Sequence, residues 1–256
     1  MNQAKLVIDN VSKSFSGHRK TFQMKALYDF NLEVYEGEFV CVVGPSGCGK
    51  TTLLKIIAGL EVPTTGSVYL DGKQVVGPGR HRGLVFQDFA LFPWRNVRDN
   101  VLFGPEVLKV PVQERQEIAD KYIKLVGLSG NEHKYPAELS GGMKQRVAIA
   151  RALANDPDVL LMDEPFGSLD AQTRYFMQNE LLRIWNEDRK AIVFVTHSVE
   201  EAIYLSDRVI VMTSAPGTIK EIFTVSLSYP RDRADHGFIT LREKVTCSII
   251  DEVKII

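Results

Sequence analysis

The chain has 256 residues, of which 45% are hydrophobic and 25% are charged, and its formal net charge is −1 at pH 7. This composition is ordinary for a globular protein with a sizeable core, and the lack of a basic block argues against a nucleic-acid partner. The three cysteines are odd in number and have no metal-binding spacing, and together with the absence of a signal-peptide pattern this indicates a reducing cytoplasm. No apolar run approaches the roughly 18 residues that span a bilayer. If the protein works at a membrane, we expect another chain to provide the spanning part.

The first third of the chain is predicted to be rich in strands. Alternating apolar residues predict strands at 6–8 and 30–34, separated by a polar, basic loop at 17–25. Two further short strands are expected at 66–72 and 84–86, each bounded by turn residues or a polar residue.

A glycine-rich segment between these strands satisfies the phosphate-binding pattern G-x-x-x-x-G-K-[ST], and it lies between an apolar strand at 39–43 and a helix at 53–58. Its glycines allow backbone N–H groups to turn toward phosphate oxygens, and the helix N-terminus adds partial positive charge. Lys50 would then contact the terminal phosphates, and the Thr51 hydroxyl would bind Mg²⁺. The segment consists of Gly44, Pro45, Ser46, Gly47, Cys48, Gly49, Lys50, Thr51 and Thr52.

The sequence changes character from residue 88 to about 155, where no strand-like run interrupts a helical pattern. Helices are predicted at 97–103, 112–126 and 143–154, the first of them capped by Asn96. We therefore expect a helical subdomain inserted between strands.

Strands and helices alternate again after this insert, at a spacing that is typical of a doubly wound parallel sheet. The run at 158–162 is apolar on both faces, as in a central strand of such a sheet. The predicted elements that follow it are strands at 191–196 and 208–212, helices at 171–187 and 199–205, and a helical stripe from about 235.

Four polar side chains stand just past the ends of predicted strands, where open parallel sheets bind their ligands. Asp163 would hold Mg²⁺, and Glu164 could polarise the water that attacks a γ-phosphate. Gln87 could sense the metal ion or the water, and His197 could donate to the γ-phosphate. On the residues alone, a helix-capping acidic pair and a surface histidine remain alternatives.

A second glycine-containing loop, formed by Ser140, Gly141 and Gly142, immediately precedes the helix at 143–154. The same physics that applies to the phosphate-binding segment predicts an anion site at this helix N-terminus. A helix N-cap without a ligand remains the alternative.

Taken in order, these motifs resemble an ATP-binding cassette, the nucleotide-binding subunit of an ABC transporter. The usual signature loop has a glutamine where this chain has Met143, which we interpret as a tolerated variant. Within the family, the chain resembles the nitrate/sulfonate/taurine importer group at 91–97, 139–146, 213–219 and 230–232. The motifs that carry the family resemblance are the phosphate loop, Gln87, 139–142, Asp163, Glu164, 168–170 and His197.

The resemblance implies an α/β fold: a P-loop NTPase (RecA-like) core with an N-terminal antiparallel β subdomain and an inserted helical subdomain. It implies one ABC ATPase domain over 1–256, with the nucleotide-binding core at 1–87 and 156–256 and the helical subdomain, which carries the signature loop, at 88–155. The implied cofactors are ATP and Mg²⁺, the metal ligands being Thr51, Gln87 and Asp163.

The resemblance also implies a head-to-tail pair of copies. Each ATP would lie between the phosphate loop of one copy and Ser140, Gly141 and Gly142 of the other, and Asp170 would link the two sites. Phe15 is the candidate for stacking on adenine, with Phe22 as a rival.

The implied partners include integral membrane permease subunits, which would contact the aromatic segment 89–95, and indirectly a solute-binding protein. We therefore expect a peripheral ATPase on the cytoplasmic face of the cell membrane. It would power import of a small solute such as nitrate, sulfonate or taurine.

The alternatives are an ABC importer ATPase for another solute, such as a pyrimidine or an aromatic acid, and a P-loop small-molecule kinase. A kinase has no use for the loop at 139–142. A non-transport cassette acting on DNA or ribosomes would need a long insertion or a second phosphate loop, and this sequence has neither.

Overall fold

The computed structural model describes residues 3–16 and 23–253. The chain forms two compact units, the first made of Met1–Gly79 with Ala191–Ile256 and the second of Arg80–Lys190. In the described part of the chain, no helix is both long enough and apolar enough to cross a membrane.

Strands and helices alternate along most of the chain, as the α/β prediction requires. In chain order the elements are β1 (Ala4–Ser16), β2 (Gln23–Tyr35), β3 (Phe39–Val43), α1 (Lys50–Ala58), β4 (Thr65–Leu70), β5 (Lys73–Gln74), β6 (Arg82–Val85), α2 (Val97–Val107), α3 (Val112–Leu125), a 3₁₀ turn (Pro136–Glu138), α4 (Gly141–Leu153), β7 (Val159–Asp163), α5 (Ala171–Glu187), β8 (Ala191–Val195), α6 (Val199–Leu205), β9 (Arg208–Met212), β10 (Ile219–Thr224) and α7 (His236–Val253).

The first unit contains a four-stranded antiparallel sheet in the order β2-β1-β4-β5. Its two long strands extend well beyond the predicted runs at 6–8 and 30–34. The loop predicted at 17–25 is wrong for residues 23–25, which belong to β2, and residues 17–22 lie outside the described residues. Register shifts after Ile8 and Val11 interrupt the alternation of inward and outward side chains. The two-residue hydrophobic periodicity of these strands can therefore be seen in the sequence only over short stretches.

The same unit holds the strands that carry the core. β3 pairs in parallel with β8 on one side and with β9 on the other, and β10 pairs antiparallel with β9. Every residue of β3 and β8 is buried, because α1 packs against β8 while α6 and α7 cover β3 and β9. Strand β10 was not predicted, since this edge strand has no buried residue in its six positions and therefore no hydrophobic pattern.

The second unit contains the parallel pair β6–β7, three helices that pack on one another (α2, α3 and α4), and α5. Helix α4 also packs against β6. Between residues 88 and 155 the described chain is helical and contains no strand, as the sequence predicts. The second unit extends past this range at both ends, and the boundaries drawn for a functional helical subdomain stay a prediction.

Candidate functional site

The phosphate-binding segment forms a turn between the end of β3 and the start of α1 in the first unit. Gly47 has φ +79° and Gly49 has φ +101°, values in the left-handed region that favours glycine. A β-carbon on Gly49 would lie 2.6 Å from the carbonyl oxygen of Ala26, whereas one on Gly47 would meet nothing within 4 Å. Gly49 is therefore required for both its conformation and its close approach to β2, and Gly47 for its conformation alone.

Lys50, the first residue of α1, folds its ammonium group back over this segment. Its Nζ donates to the carbonyl oxygens of Gly44 at 2.8 Å and Pro45 at 2.9 Å, and only 7% of the residue is exposed. The Cys48 Sγ lies 3.7 Å from the same Nζ. Burial raises the pKa of the Cys48 thiol, although the charge of Lys50 opposes that shift, so the thiol is neutral at pH 7.

The N-terminus of α1 has the character of an anion site. Gly49 occupies the N-cap and has no side chain that could accept from the first-turn amides, and no acidic residue lies in that first turn. The helix dipole and the Lys50 charge together favour a phosphate group at this position. The residues present therefore fit the terminal phosphates of a nucleotide.

His197 lies on the same edge of the sheet as the phosphate-binding segment. Val42 of β3 is paired with Val195 of β8 in the parallel ladder, and both strands end at or just beyond this pair. The structure thus brings His197 and the phosphate loop to one edge within the first unit, as the sequence predicts from the position of His197 just past a strand end.

The loop around His197 is closed by a ring of hydrogen bonds. The buried Thr196 hydroxyl donates to the buried Glu201 carboxylate, and the Ser198 N–H donates to Oγ1 of Thr196 at 3.1 Å. Oγ of Ser198 accepts from the Glu201 N–H at 3.3 Å and so caps α6. Sequence reasoning missed Glu201, which has the pattern of an ordinary first-turn acid.

Gln87, Asp163 and Glu164 come together within the second unit. Val85 of β6 is level with Met162 of β7, so the residues that follow both strands leave the sheet at one edge. A methyl group added at Gly167 would lie 3.8 Å from Oε2 of Glu164 and 3.9 Å from Nε2 of Gln87. Glu164 has φ +43°, a strained conformation for a residue other than glycine and one that is found at functional sites.

The second glycine-containing loop opens α4 in the same unit. Oγ of Ser140 accepts from the Met143 N–H at 3.3 Å, so the serine is a helix N-cap. β-carbons on Gly141 and Gly142 would lie 3.2 Å from Cδ2 of Leu169 and 2.7 Å from Cγ2 of Thr173. These glycines therefore permit a close approach to the start of α5.

Asp170 caps α5 beside that loop. Its Oδ1 accepts from the Thr173 N–H at 3.0 Å and its Oδ2 from the Thr173 hydroxyl at 2.7 Å. These hydrogen bonds lower the pKa of the Asp170 carboxyl. The structure thus brings Asp170 and the second loop together within the second unit.

Phe15 and the aromatic segment 89–95 are partly exposed. Phe15 lies on β1 with 38% of the residue exposed and with Nζ of Lys13 4.9 Å from its ring centroid, while Phe22 lies outside the described residues. In the second unit, Trp94 is 73% exposed.

Arg151 of α4 holds the start of the aromatic segment. Phe89 and Ala90 both have positive φ, and their carbonyl oxygens accept from the Arg151 guanidinium. Burial lowers the pKa of Arg151. The sequence offered no signal for this anchor, because an arginine on a helix is usually a solvated surface residue.

Comparison with known proteins shows the family. The ABC transporter family model matches residues 27–167, more than half of the chain. The protein therefore belongs to the ABC transporter family as one of its ATP-binding proteins, and the resemblance noted in the sequence is confirmed. It is an ATPase of the kind that powers transport, and the small-molecule kinase alternative is wrong.

Its relatives include importer subunits. An uncharacterized ABC transporter ATP-binding protein of Methanocaldococcus jannaschii is 58% identical over 98% of this chain and 93% of its own. The aliphatic sulfonates import ATP-binding protein of Bacillus cereus is 45% identical, over 93% of each chain. The nitrate import ATP-binding protein of Synechococcus elongatus is 46% identical over 91% of this chain and 85% of its own.

A solved structure shares the fold. It is a dimeric ATP-binding cassette in a post-hydrolysis state with ADP and Pi, with a TM-score of 0.75 and 35% identity over 86% of this chain and 98% of the other. The predicted P-loop NTPase fold is thereby confirmed.

Proposed function

We propose that this ATPase powers import of a small anion of the nitrate or sulfonate kind. The observation that carries the proposal is the similarity to two import ATP-binding proteins along nearly the whole chain, one for aliphatic sulfonates and one for nitrate. Import of another small solute, such as a pyrimidine or an aromatic acid, is the alternative that the test below distinguishes.

The phosphate loop is proposed to bind the triphosphate of ATP. Lys50 would transfer its ammonium hydrogen bonds from the carbonyls of Gly44 and Pro45 to phosphate oxygens, an exchange that leaves its charge paired throughout. The remaining contacts would come from the backbone at Ser46, Gly47, Cys48 and Gly49 and from Thr52. Phe15 is proposed to stack on adenine, because it presents an exposed ring beside a lysine ammonium.

Mg²⁺ is proposed to be bound by Thr51, Gln87 and Asp163. Among residues 3–16 and 23–253, no group of three His, Cys, Asp or Glu side chains is arranged to hold a metal ion. A hydroxyl, an amide oxygen and one carboxylate suit Mg²⁺ nevertheless, because it keeps several waters and shares phosphate oxygens. When bound, it would neutralise charge that develops on the phosphates.

Three side chains are proposed to act on the γ-phosphate and its attacking water. Glu164 would accept the proton of that water, and its carboxylate and the Gln87 amide both lie close to Gly167. Gln87 would orient the water, and His197 would donate a hydrogen bond to the γ-phosphate from a loop fixed by Glu201. Side-chain chemistry and the matching family motif support each of these proposed roles.

A second copy of the chain is proposed to complete each ATP site. Ser140, Gly141 and Gly142 of one copy would approach the γ-phosphate bound by the other, and the solved relative is itself dimeric. Asp170 would transmit the state of one site to the other, since it caps α5 where Gly142 and Thr173 are in close contact.

The aromatic segment 89–95 is proposed to contact the membrane permease. Trp94 is largely exposed, and Phe92 and Phe103 line a cavity with Arg151 in the same unit, an arrangement suited to a partner's apolar side chains. The protein would then work at the cytoplasmic face of the membrane, with a solute-binding protein as an indirect partner.

The test is ATP hydrolysis by the chain reconstituted in vesicles with its permease and solute-binding protein. We expect nitrate or an alkanesulfonate to stimulate hydrolysis, whereas stimulation by a pyrimidine or an aromatic acid alone would contradict the anion assignment. In the same vesicles, Glu164→Gln should lower hydrolysis by at least about 10²-fold, because the general base is lost.

The Glu164→Gln variant should still bind ATP and should accumulate as an ATP-dependent dimer, because hydrolysis is what allows the pair to separate. Glu187→Gln, the same change at an exposed ion pair with Arg183 at the end of α5, is the matched control and should hydrolyse ATP normally. Near-normal turnover in Glu164→Gln would contradict the role assigned to Glu164.

A further inference from the structure

Residues 230–232 help to mark the importer group in the sequence, yet the proposed ATP site does not use them. Arg231, only 6% exposed, donates from Nη1 to the carbonyl oxygens of Ile203 at 2.6 Å, Tyr204 at 3.2 Å and Ser206 at 2.7 Å. These carbonyls form the last turn of α6 and its C-cap. One guanidinium therefore holds the end of this helix.

The neighbours of Arg231 reinforce this contact. The Tyr229 hydroxyl donates to the carbonyl oxygen of Leu205 at 2.7 Å, and the Arg231 guanidinium lies 4.0 Å from the centroid of the Tyr229 ring. The last carbonyls of a helix lack partners within the helix, and a cation there is favoured by the helix dipole. Burial lowers the pKa of Arg231, which still stays charged at neutral pH as arginine does in proteins.

The opposite end of α6 begins two residues after His197. The hydrogen-bonded ring of Thr196, Ser198 and Glu201 joins the first turn of the helix to both neighbours of the histidine. With seven residues, α6 is only about 10 Å long at 1.5 Å per residue, so a shift at one end is transmitted to the other.

Directional contacts are what fix α6 along its axis. The helix also packs on β3, β9 and α7, but apolar packing is non-directional and sets mainly its distance from those elements. Hydrogen bonds to the last carbonyls have a narrow range of distance and angle, so they define its axial position.

We propose that Arg231 is a positioning residue for ATP hydrolysis, which acts by binding the last turn of α6 and so fixing the helix that positions His197. The proposal rests on the role of His197 given under the proposed function. It assigns a task in the reaction to the 230–232 motif, which lies outside the nucleotide-binding residues.

The test compares hydrolysis with ATP binding in the full chain. Arg231→Ala should lower kcat by about tenfold or more, as small misplacements of a catalytic group do, while the Kd of a fluorescent ATP analogue stays within about twofold. Arg231→Lys should recover part of the loss, because an ammonium can bind some of the same carbonyls.

The matched control is Lys220→Ala. Lys220 binds the carbonyl oxygen of Ser248 and the Glu252 carboxylate, so it joins β10 to α7 without touching α6. This variant also weakens packing of the C-terminal region, but it should keep normal kcat. Equal losses of kcat in both variants would overturn the proposal, because loosening of the C-terminal region in general would then explain them.

A double variant separates positioning from a structural role. If Arg231 acts through His197, Arg231→Ala should cause no further loss of single-turnover hydrolysis in a His197→Ala background. A further loss of the full size there would overturn the proposal. If Arg231→Ala does not fold, Tyr229→Phe removes the hydroxyl that binds Leu205 but keeps the ring beside Arg231, and it should lower kcat without weakening ATP binding.

The outcomes also distinguish this inference from the proposed function. Unchanged hydrolysis in His197→Ala would contradict the proposed role of His197 itself. Loss of hydrolysis in His197→Ala together with normal kcat in Arg231→Ala would overturn only the positioning role.

Discussion

Two helices of this protein begin at glycine-containing loops, and their first turns are arranged differently. Helix α1 starts from Gly49, which has a left-handed conformation and no side chain to accept from the first amides. Helix α4 starts from Ser140, which is extended and accepts from the Met143 N–H. The first helix N-terminus has no side-chain cap, whereas the second is capped by Ser140.

Glycine is also needed for different reasons in the two loops. In the phosphate loop, Gly47 and Gly49 are needed for positive φ. In the second loop, a β-carbon on Gly142 would lie only 2.7 Å from Cγ2 of Thr173, and one on Gly141 would make a tight contact of 3.2 Å with Cδ2 of Leu169. Positive φ is thus a requirement of the phosphate loop alone, whereas close packing constrains Gly49 as well as the glycines of the second loop.

The largest expected effect comes from a comparison of Gly49→Ala with Gly47→Ala. Both place alanine at positive φ, at a cost of about 1–2 kcal/mol, but only Gly49→Ala adds a clash with the Ala26 carbonyl worth about 1–3 kcal/mol more. Urea unfolding without nucleotide should therefore give a loss for Gly49→Ala of about 2–5 kcal/mol. Equal losses for the two variants would show that β2 moves away freely.

An intermediate effect is expected at Gly142. Its φ is not positive, so alanine at this position should stabilise helix α4 by about 0.5–1 kcal/mol. The alanine β-carbon would, however, lie 2.7 Å from Cγ2 of Thr173, and such overpacking typically costs about 1–3 kcal/mol. Thr173→Ser removes that methyl group and keeps the hydroxyl that Asp170 binds.

Urea unfolding should therefore show a loss of stability for Gly142→Ala alone. The double variant Gly142→Ala/Thr173→Ser should be at least as stable as Thr173→Ser, the reference for the pair. Persistent destabilisation of the double variant would mean that close packing is not the reason for this glycine. If the double variant is as stable as Thr173→Ser but still hydrolyses ATP slowly, that result would support a contact between the Gly142 backbone and phosphate.

The smallest effect is expected at Ser140. Ser140→Ala removes the cap of α4 and should lower the free energy of unfolding by about 1 kcal/mol. Asn96→Ala, which removes the cap of α2, is the control and should lose a similar amount, because Oδ1 of Asn96 accepts from the Asp99 N–H at 2.8 Å. Only Ser140→Ala should also lower hydrolysis by the paired cassette. Normal hydrolysis in Ser140→Ala would show that Ser140 acts only as the helix cap of α4.

Regular elements with a strong hydrophobic pattern were predictable from the sequence. Helices at Ala171–Glu187 and Val199–Leu205 and the strand at Arg208–Met212 have the predicted bounds. Each of these elements buries its apolar side chains, so burial and periodicity agree. The phosphate loop was predictable for a similar reason, since its chemistry lies in consecutive residues.

Features that depend on distant partners were not predictable. Strand β10 is an edge strand without a buried stripe, so nothing in its own residues distinguishes it from a loop. Arg151 and Arg231 bind backbone carbonyls 61 and 25 positions or more away in the chain, and their sequence neighbours carry no sign of it. The link between Glu201 and the loop around His197 is visible only in the structure, where the Glu201 carboxylate accepts a hydrogen bond from Thr196.

The ammonium of Lys50 has a further consequence for nucleotide exchange. With Gly44 and Pro45 as its acceptors, the Lys50 ammonium is held in place by the loop itself. In the proposed site, release of ADP would therefore end in a return to these carbonyls, and the departing nucleotide would leave no unpaired buried charge behind. Affinity for ATP would accordingly be a difference between two sets of hydrogen bonds, so weakening the internal set should tighten binding.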